Sequence, residues 1–214
     1  MTSAAHDRPD APERAELADL LAELGPEAPT ILPGWNALEL LDHLLERERP
    51  SVHSLAQRLP GPLGRRSAEA VEARRDLPWE QKVEQLREGP GPRSAVARAD
   101  AFTGGAELLI HLEDLRRAQD GWQPRRLSVE DQQRAWRATG LFAGMMLRTP
   151  AHITLVSPLG GRRIGRPGSE GSVRVHGEPL ELLLWVSGRD EVARVEVLGN
   201  PEGLSALAGA HRGI

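Results

Sequence analysis

The sequence predicts an α+β protein, a helical bundle over residues 11–149 followed by a small α+β domain over 150–214. Three observations carry that expectation. Leucines recur at helical spacing through the first two-thirds of the chain, as in Leu17, Leu20, Leu21 and Leu24. After Pro150 the texture changes to short β-like segments separated by Gly and Pro turns. A boundary near Thr149 separates two textures that belong to different packing layers.

Residues 1–10 are polar and predict no packed structure. The first helix begins at Pro12 and stops at Gly25-Pro26. The turn ILPGW leads into a second helix, expected from about Trp35 to Arg49 and ended by Pro50. Residues 51–66, interrupted by Pro60 and Pro62, read as a loop. A short charged helix is expected at 68–75, and another over Trp79–Glu88 with Pro78 at its entrance. GPGP at 89–92 breaks the chain again. Asp100 is the expected cap of a helix running to Gln119, before the break at Gly121.

Ser128 followed by Asp131 is an N-cap signature, opening a helix that runs to Arg148. Strands are expected at His152–Val156, Arg162–Gly165, Ser172–His176 and Glu191–Leu198, with a buried helix PLELLLWV at Pro179–Val186 and a last helix at Pro201–Ala208. Trp35, Trp136 and Trp185 read as core anchors and Met145-Met146 as core filler. Gly160-Gly161 and Arg166-Pro167-Gly168 suit β turns.

Composition removes several kinds of chemistry. The chain has 214 residues and no Cys, so it carries no thiolate metal site, iron–sulfur cluster or cysteine nucleophile. Any thiol in its chemistry has to arrive from outside. Net charge is −4, Lys82 is the only lysine among 27 basic residues, and the arginine pairs are scattered among acids, a pattern that argues against nucleic-acid binding. No apolar run is long enough for a membrane span and the N-terminus has no signal-peptide core, so the expectation is a cytoplasmic protein. There is no Walker motif and no G-x-S-x-G elbow, and Ser157, Ser169 and Ser172 have no identifiable base.

The most informative motif is in GAELLIHLEDLRRAQD, where Glu107, His111 and Asp114 follow at spacings of four and three. On a helix these fall within an arc of roughly 60°, flanked by Leu108, Leu115 and Ile110 and sharing their face with Thr103, Gly104 and Ala118. A carboxylate and an imidazole supply only two ligands, so a divalent site needs another from elsewhere. An ordinary i,i+4 polar pair on an exposed face is the competing reading. Of the seven histidines, His43 alone lies in another strongly helical segment of the same domain, where it shares an arc with Asn36, Glu39 and Glu46 opposite Leu38, Leu41 and Leu45. From spacing alone it is a solvent-facing residue or a ligand.

Read together, the two segments resemble a known family. LPGWNALELLDHLLERE, with His43 eight residues after Trp35, resembles the metal-binding helix of the maleylpyruvate isomerase-like branch of the DinB superfamily. ELLIHLEDLRRA resembles that branch's other metal helix, and GEPLELLLWVSGR followed by VEVLGNPEGLSALA looks like its C-terminal domain. The resemblance covers most of residues 14–208. It implies a DinB-like four-helix bundle and makes His43, Glu107 and His111 the metal ligands.

Two histidines and a carboxylate with open positions form a catalytic type of set; Zn²⁺ is the first choice, and Fe²⁺, Mn²⁺, Co²⁺ or Ni²⁺ suit the same donors. Asp114 either orients a ligand or water at the metal or makes an ion pair with Arg117 or with another helix. Arg189 and Arg194 are anion contacts or surface ion pairs.

The activity implied by the resemblance is that of a metal-dependent enzyme using a low-molecular-weight thiol such as mycothiol. It would isomerise a small electrophile or transfer sulfur to it; its partners would be a small-molecule substrate and a small thiol, with no nucleic acid or membrane. The alternative is a noncatalytic metal-binding or regulatory protein. One departure feeds the alternative: Leu112 stands where related sequences often carry a second histidine.

Overall fold

The computed structural model describes residues 11–48, 76–90, 105–165 and 171–210, with positions 61, 62, 65, 69 and 73 between them. It is a mixed α+β structure whose seven described helices and four-stranded sheet divide into two compact units, residues 1–123 and 124–214. The helices expected at Asp100 and at 68–75 begin or lie largely outside the described residues, as do Thr103, Gly104 and Ser169.

In the first unit, α1 (Ala11–Leu24) and α2 (Ala37–Glu48) bury Leu17, Leu21, Leu40, Leu41, Leu44 and Leu45. They pack with Leu86 of α3 (Trp79–Glu88) and Leu108, Leu112 and Leu115 of α4 (Ala106–Arg116). The helical leucine spacing therefore has a direct physical outcome, a continuous aliphatic core closed on several sides.

Polar ties fix the helices around this core. The guanidinium of Arg14 makes a two-pronged pair with Glu48, at 2.9 and 2.6 Å, and also donates to the carbonyl of Leu86 at 2.8 Å. One buried side chain thus joins α1, α2 and α3. Lys82, only 2 % exposed, reaches Asp42 at 2.7 Å and adds a second tie between α3 and α2.

The turn before α2 sets that helix in register. Asn36 caps it: its Oδ1 accepts from the amides of Leu38 and Glu39, at 2.9 and 3.1 Å, while its own amide donates to Glu39 Oε2 at 2.8 Å. The helix consequently starts after Trp35, which lies in the turn. Thr30 Oγ1 donates to the carbonyl of Trp35 at 2.8 Å, and Gly34 has φ +77°, closing the loop tightly. The loop is tied to α4 by the amide of Ile31 donating to the carbonyl of Asp114 at 3.0 Å and by Gln119 Nε2 donating to the carbonyl of Pro29 at 3.0 Å.

The second unit contains α5 (Val129–Met146), β1 (His152–Ser157), β2 (Gly160–Ile164), β3 (Ser172–His176), α6 (Pro179–Val186), β4 (Glu196–Gly199) and α7 (Pro201–Ala208). Strand order is β2-β1-β3-β4, with β1 and β3 parallel and both edge strands antiparallel to their neighbours. Alternation puts Ile153, Leu155, Val173 and Val175 on one buried face. The predicted helix PLELLLWV is buried along its whole length.

The compact units divide ahead of α5, whereas the sequence texture changes after it, near Thr149. Packing gives the reason. Ala135, Trp136, Thr139, Phe142 and Ala143 line a buried face of α5, which packs on α6, and Thr139 Oγ1 lies 3.4 Å from the carbonyl of Pro179. Helical patterning reports that a face is buried but not what buries it.

β4 is also shorter than its valine pattern suggests. The carbonyl of Arg189 accepts from the amides of Val192 and Ala193, at 3.3 and 2.9 Å, and this turn holds residues 191–195 outside the ladder. Gly160 and Gly161 lie within β2, and the hairpin turn falls on Pro158-Leu159 instead. No described helix is long and apolar enough to cross a membrane.

Candidate metal centre

Two helices of the first unit bring the sequence-selected residues together. His43 on α2 and Glu107 and His111 on α4 each offer one ligand atom, and these atoms lie within 4.8 Å of one another. The two imidazole centroids are 5.4 Å apart, with the rings inclined at 70°. Donors bound to one zinc ion at about 2.0–2.2 Å lie up to about 4.4 Å apart, so side chains gathered this closely could close on a single ion with a small inward shift.

The position of His43 follows from its helix. Leu40, Leu41, Leu44 and Leu45 turn inward on either side of it, leaving His43 half-buried at the margin of the core rather than fully in solvent. The ring of Trp35 meets it edge-on with centroids 5.1 Å apart. Trp35 is thus partly a core residue, as its apolar character predicts, and partly a wall of the site.

His111 is 4 % exposed and Asp114 is fully buried. His111 Nδ1 lies 2.9 Å from Asp114 Oδ2. A carboxylate acceptor there favours the tautomer with the proton on Nδ1, which leaves the Nε2 lone pair for a metal. Arg117 Nε donates to Glu113 Oε2 at 2.6 Å, and its guanidinium stacks 4.7 Å from the Trp122 ring centroid. Asp114 thus stands behind His111, in position for the orienting contact expected of it.

Glu107 faces a charge that spacing alone did not single out. Its Oε1 is enclosed by protein and accepts no hydrogen bond, and the Nε of Arg47 lies against it as an ion pair. Arg47 is one helical turn beyond His43, on the same face of α2, and that i,i+4 relation is the signal that could have found it.

The other selected residues lie elsewhere. Leu112 is buried in the leucine core, so no polar group at that position could reach the site without leaving it. Arg189 and Arg194 are in the second unit. Arg189 Nη1 donates to the carbonyl of Ser187 at 2.6 Å, and the amide of Arg194 donates to Glu181 Oε2 at 2.7 Å. Ser157 Oγ accepts from the amide of Leu159 at 3.0 Å, a turn contact.

The donor set fits a divalent ion of intermediate softness: two imidazoles, one of them already oriented through its second nitrogen, and one carboxylate oxygen without a hydrogen bond. No family model matches the chain, and no match was found among curated proteins or solved structures.

Proposed function

We propose that the first unit is a DinB-like helical bundle binding one divalent metal, Zn²⁺ first, through His43, Glu107 and His111, and that the protein is a thiol-dependent isomerase or transferase acting on a small electrophile. The observation that carries the reading is the convergence of those three side chains from two separate helices, with Asp114 behind His111. Four-helix topology, the use of a mycothiol-like thiol, and a cytoplasmic setting belong to the same proposal and rest on the resemblance of the two metal-helix segments.

Held by His43, Glu107 and His111, an ion would have three protein ligands and would keep a position for an exogenous group. Bound there, the metal would supply Lewis acidity enough to keep a small thiol ionised at neutral pH. The chain's own residues do the rest of the work. Asp114 holds the Nδ1 proton of His111 and fixes the ring, while the edge-on contact of Trp35 limits the freedom of the His43 imidazole. The absence of cysteine from the sequence keeps a visiting thiol from competing with a protein thiolate for the ion.

The test uses the untagged full chain stripped with a chelator and titrated with Zn²⁺. One equivalent should bind, and His43→Ala, Glu107→Gln or His111→Ala should each weaken binding by a factor of about 100 or more. Unchanged affinity in the histidine variants would remove the site. With metal loaded, maleylpyruvate and other electrophiles are then offered with mycothiol; turnover that requires the thiol and is lost in Glu107→Gln supports the enzyme, whereas stoichiometric metal with no thiol binding by calorimetry would leave a noncatalytic metal protein.

A further inference from the structure

Arg47 is an exposed residue with a buried appointment. Its side chain is 53 % exposed, yet its Nε sits against a Glu107 carboxylate that is only 15 % exposed. The contacted oxygen, Oε1, is enclosed and accepts no hydrogen bond, so the Arg47 charge is its close polar neighbour among the described residues. Burying a carboxylate beside two imidazoles calls for a counter-cation, since an unpaired buried charge is costly. Arg47 meets that need from the turn of α2 next to His43.

A divalent ion among His43, Glu107 and His111 would need the same carboxylate. Two cations drawn to one small anion repel each other, and the guanidinium is the one with an exit, because more than half of its side chain already faces water. We propose that Arg47 is a built-in competitor for the metal: it neutralises Glu107 when no ion is bound, and its guanidinium must withdraw to solvent and yield the carboxylate when an ion binds. The inference rests on the metal reading above and adds the residue that sets how tightly the site holds its ion.

The experiment measures Zn²⁺ affinity of the chelator-stripped full chain by competition with a chromophoric chelator, for the parent protein, Arg47→Gln, Arg47→Met and Arg47→Lys. Circular dichroism checks that each variant folds, and having two neutral variants guards against one that does not. Both neutral variants should bind Zn²⁺ more tightly by roughly threefold to tenfold, the scale of a partly exposed ion pair, and the lysine variant should stay near the parent.

A second readout is thermal unfolding. The neutral variants should lower the midpoint of the metal-free protein by about 1–3 °C and leave that of the metal-loaded protein unchanged. Equal or weaker Zn²⁺ binding in both neutral variants, with His43→Ala still abolishing binding, would overturn the competitor role alone and identify Arg47 as an orienting contact to Glu107. No Zn²⁺ binding by the parent, or binding that survives His43→Ala, would overturn the metal reading and this inference with it.

Discussion

At the scale of single residues, the first unit depends on carboxylates whose partners are already chosen. Asp114 takes His111, Glu113 takes Arg116 and Arg117, and Glu48 takes Arg14. Replacing Asp114 with Asn keeps the shape but offers weaker acceptance to Nδ1, and metal affinity should fall about 10-fold or more in the Zn²⁺ competition assay.

Asp131 provides a pH test in the other unit. Burial pushes its carboxyl up, but hydrogen bonds from Arg134 and Ser128 and the nearby charges of Arg134 and Arg125 outweigh that effect, and its pKa lies below the ordinary carboxylate value. A depressed native pKa contributes stability above the unfolded value and loses it as pH falls through the native one. Denaturant midpoints of the parent and Asp131→Asn should therefore differ at neutral pH and converge in acid, below the usual carboxylate range.

The Ser128–Asp131 cap was legible in the sequence because both of its partners lie within one turn, and Ser128 Oγ does accept the Asp131 amide at 3.1 Å. Trp35 and Arg47 were harder to read as site residues: one was classed by its apolar character, and the other owes its role to a helix more than fifty residues away.

At the scale of elements, sequence periodicity predicts which side of a helix is buried, and tertiary contacts then decide the consequence of each substitution. Gly203 in α7 is the clearest instance. Helix propensity alone would make Gly203→Ala stabilising by about 1 kcal/mol. A Cβ there, however, would meet the backbone O and N of Ser172 at 2.6 and 2.7 Å, where the start of β3 runs past the helix. The substitution should instead destabilise by about 1–3 kcal/mol, the usual cost of overpacking against atoms that cannot yield, measurable by urea unfolding.

Arg14 makes the complementary case for the first unit. Its guanidinium is buried and bound by Glu48 and the Leu86 carbonyl, so Arg14→Ala leaves Glu48 without that partner and should cost about 3–5 kcal/mol. Nothing in the local sequence marks Arg14 as internal, because its partners lie on two later helices. By contrast, α6 was legible outright: a run of leucines ending in Trp-Val, bounded by Pro179 and Gly188, has no polar face to expose.

At the scale of the whole molecule, the candidate metal centre lies within one of the two units. His43, Glu107, His111, Asp114, Trp35 and Arg47 all belong to residues 1–123. A ligand that binds only the folded state stabilises it by about 2.7 kcal/mol at a hundred times its dissociation constant. Zn²⁺ at that excess should accordingly slow hydrogen exchange most in α2 and α4, the helices that supply the three donors; equal slowing throughout the chain would argue against that placement. The α+β class was readable from texture, but the division before α5 was not, since a buried helical face looks the same in sequence whichever layer receives it.

The ion pair between Lys82 and Asp42 has a practical corollary. Lys82 is the only lysine in the chain and is 2 % exposed, so the folded protein presents almost no side-chain amine to its surroundings. Lysine-directed modification of any kind must then wait for α3 to part from α2. The rate at which an acylating reagent reaches Lys82 becomes a clock for that opening, carried by a single native atom and needing no engineered label.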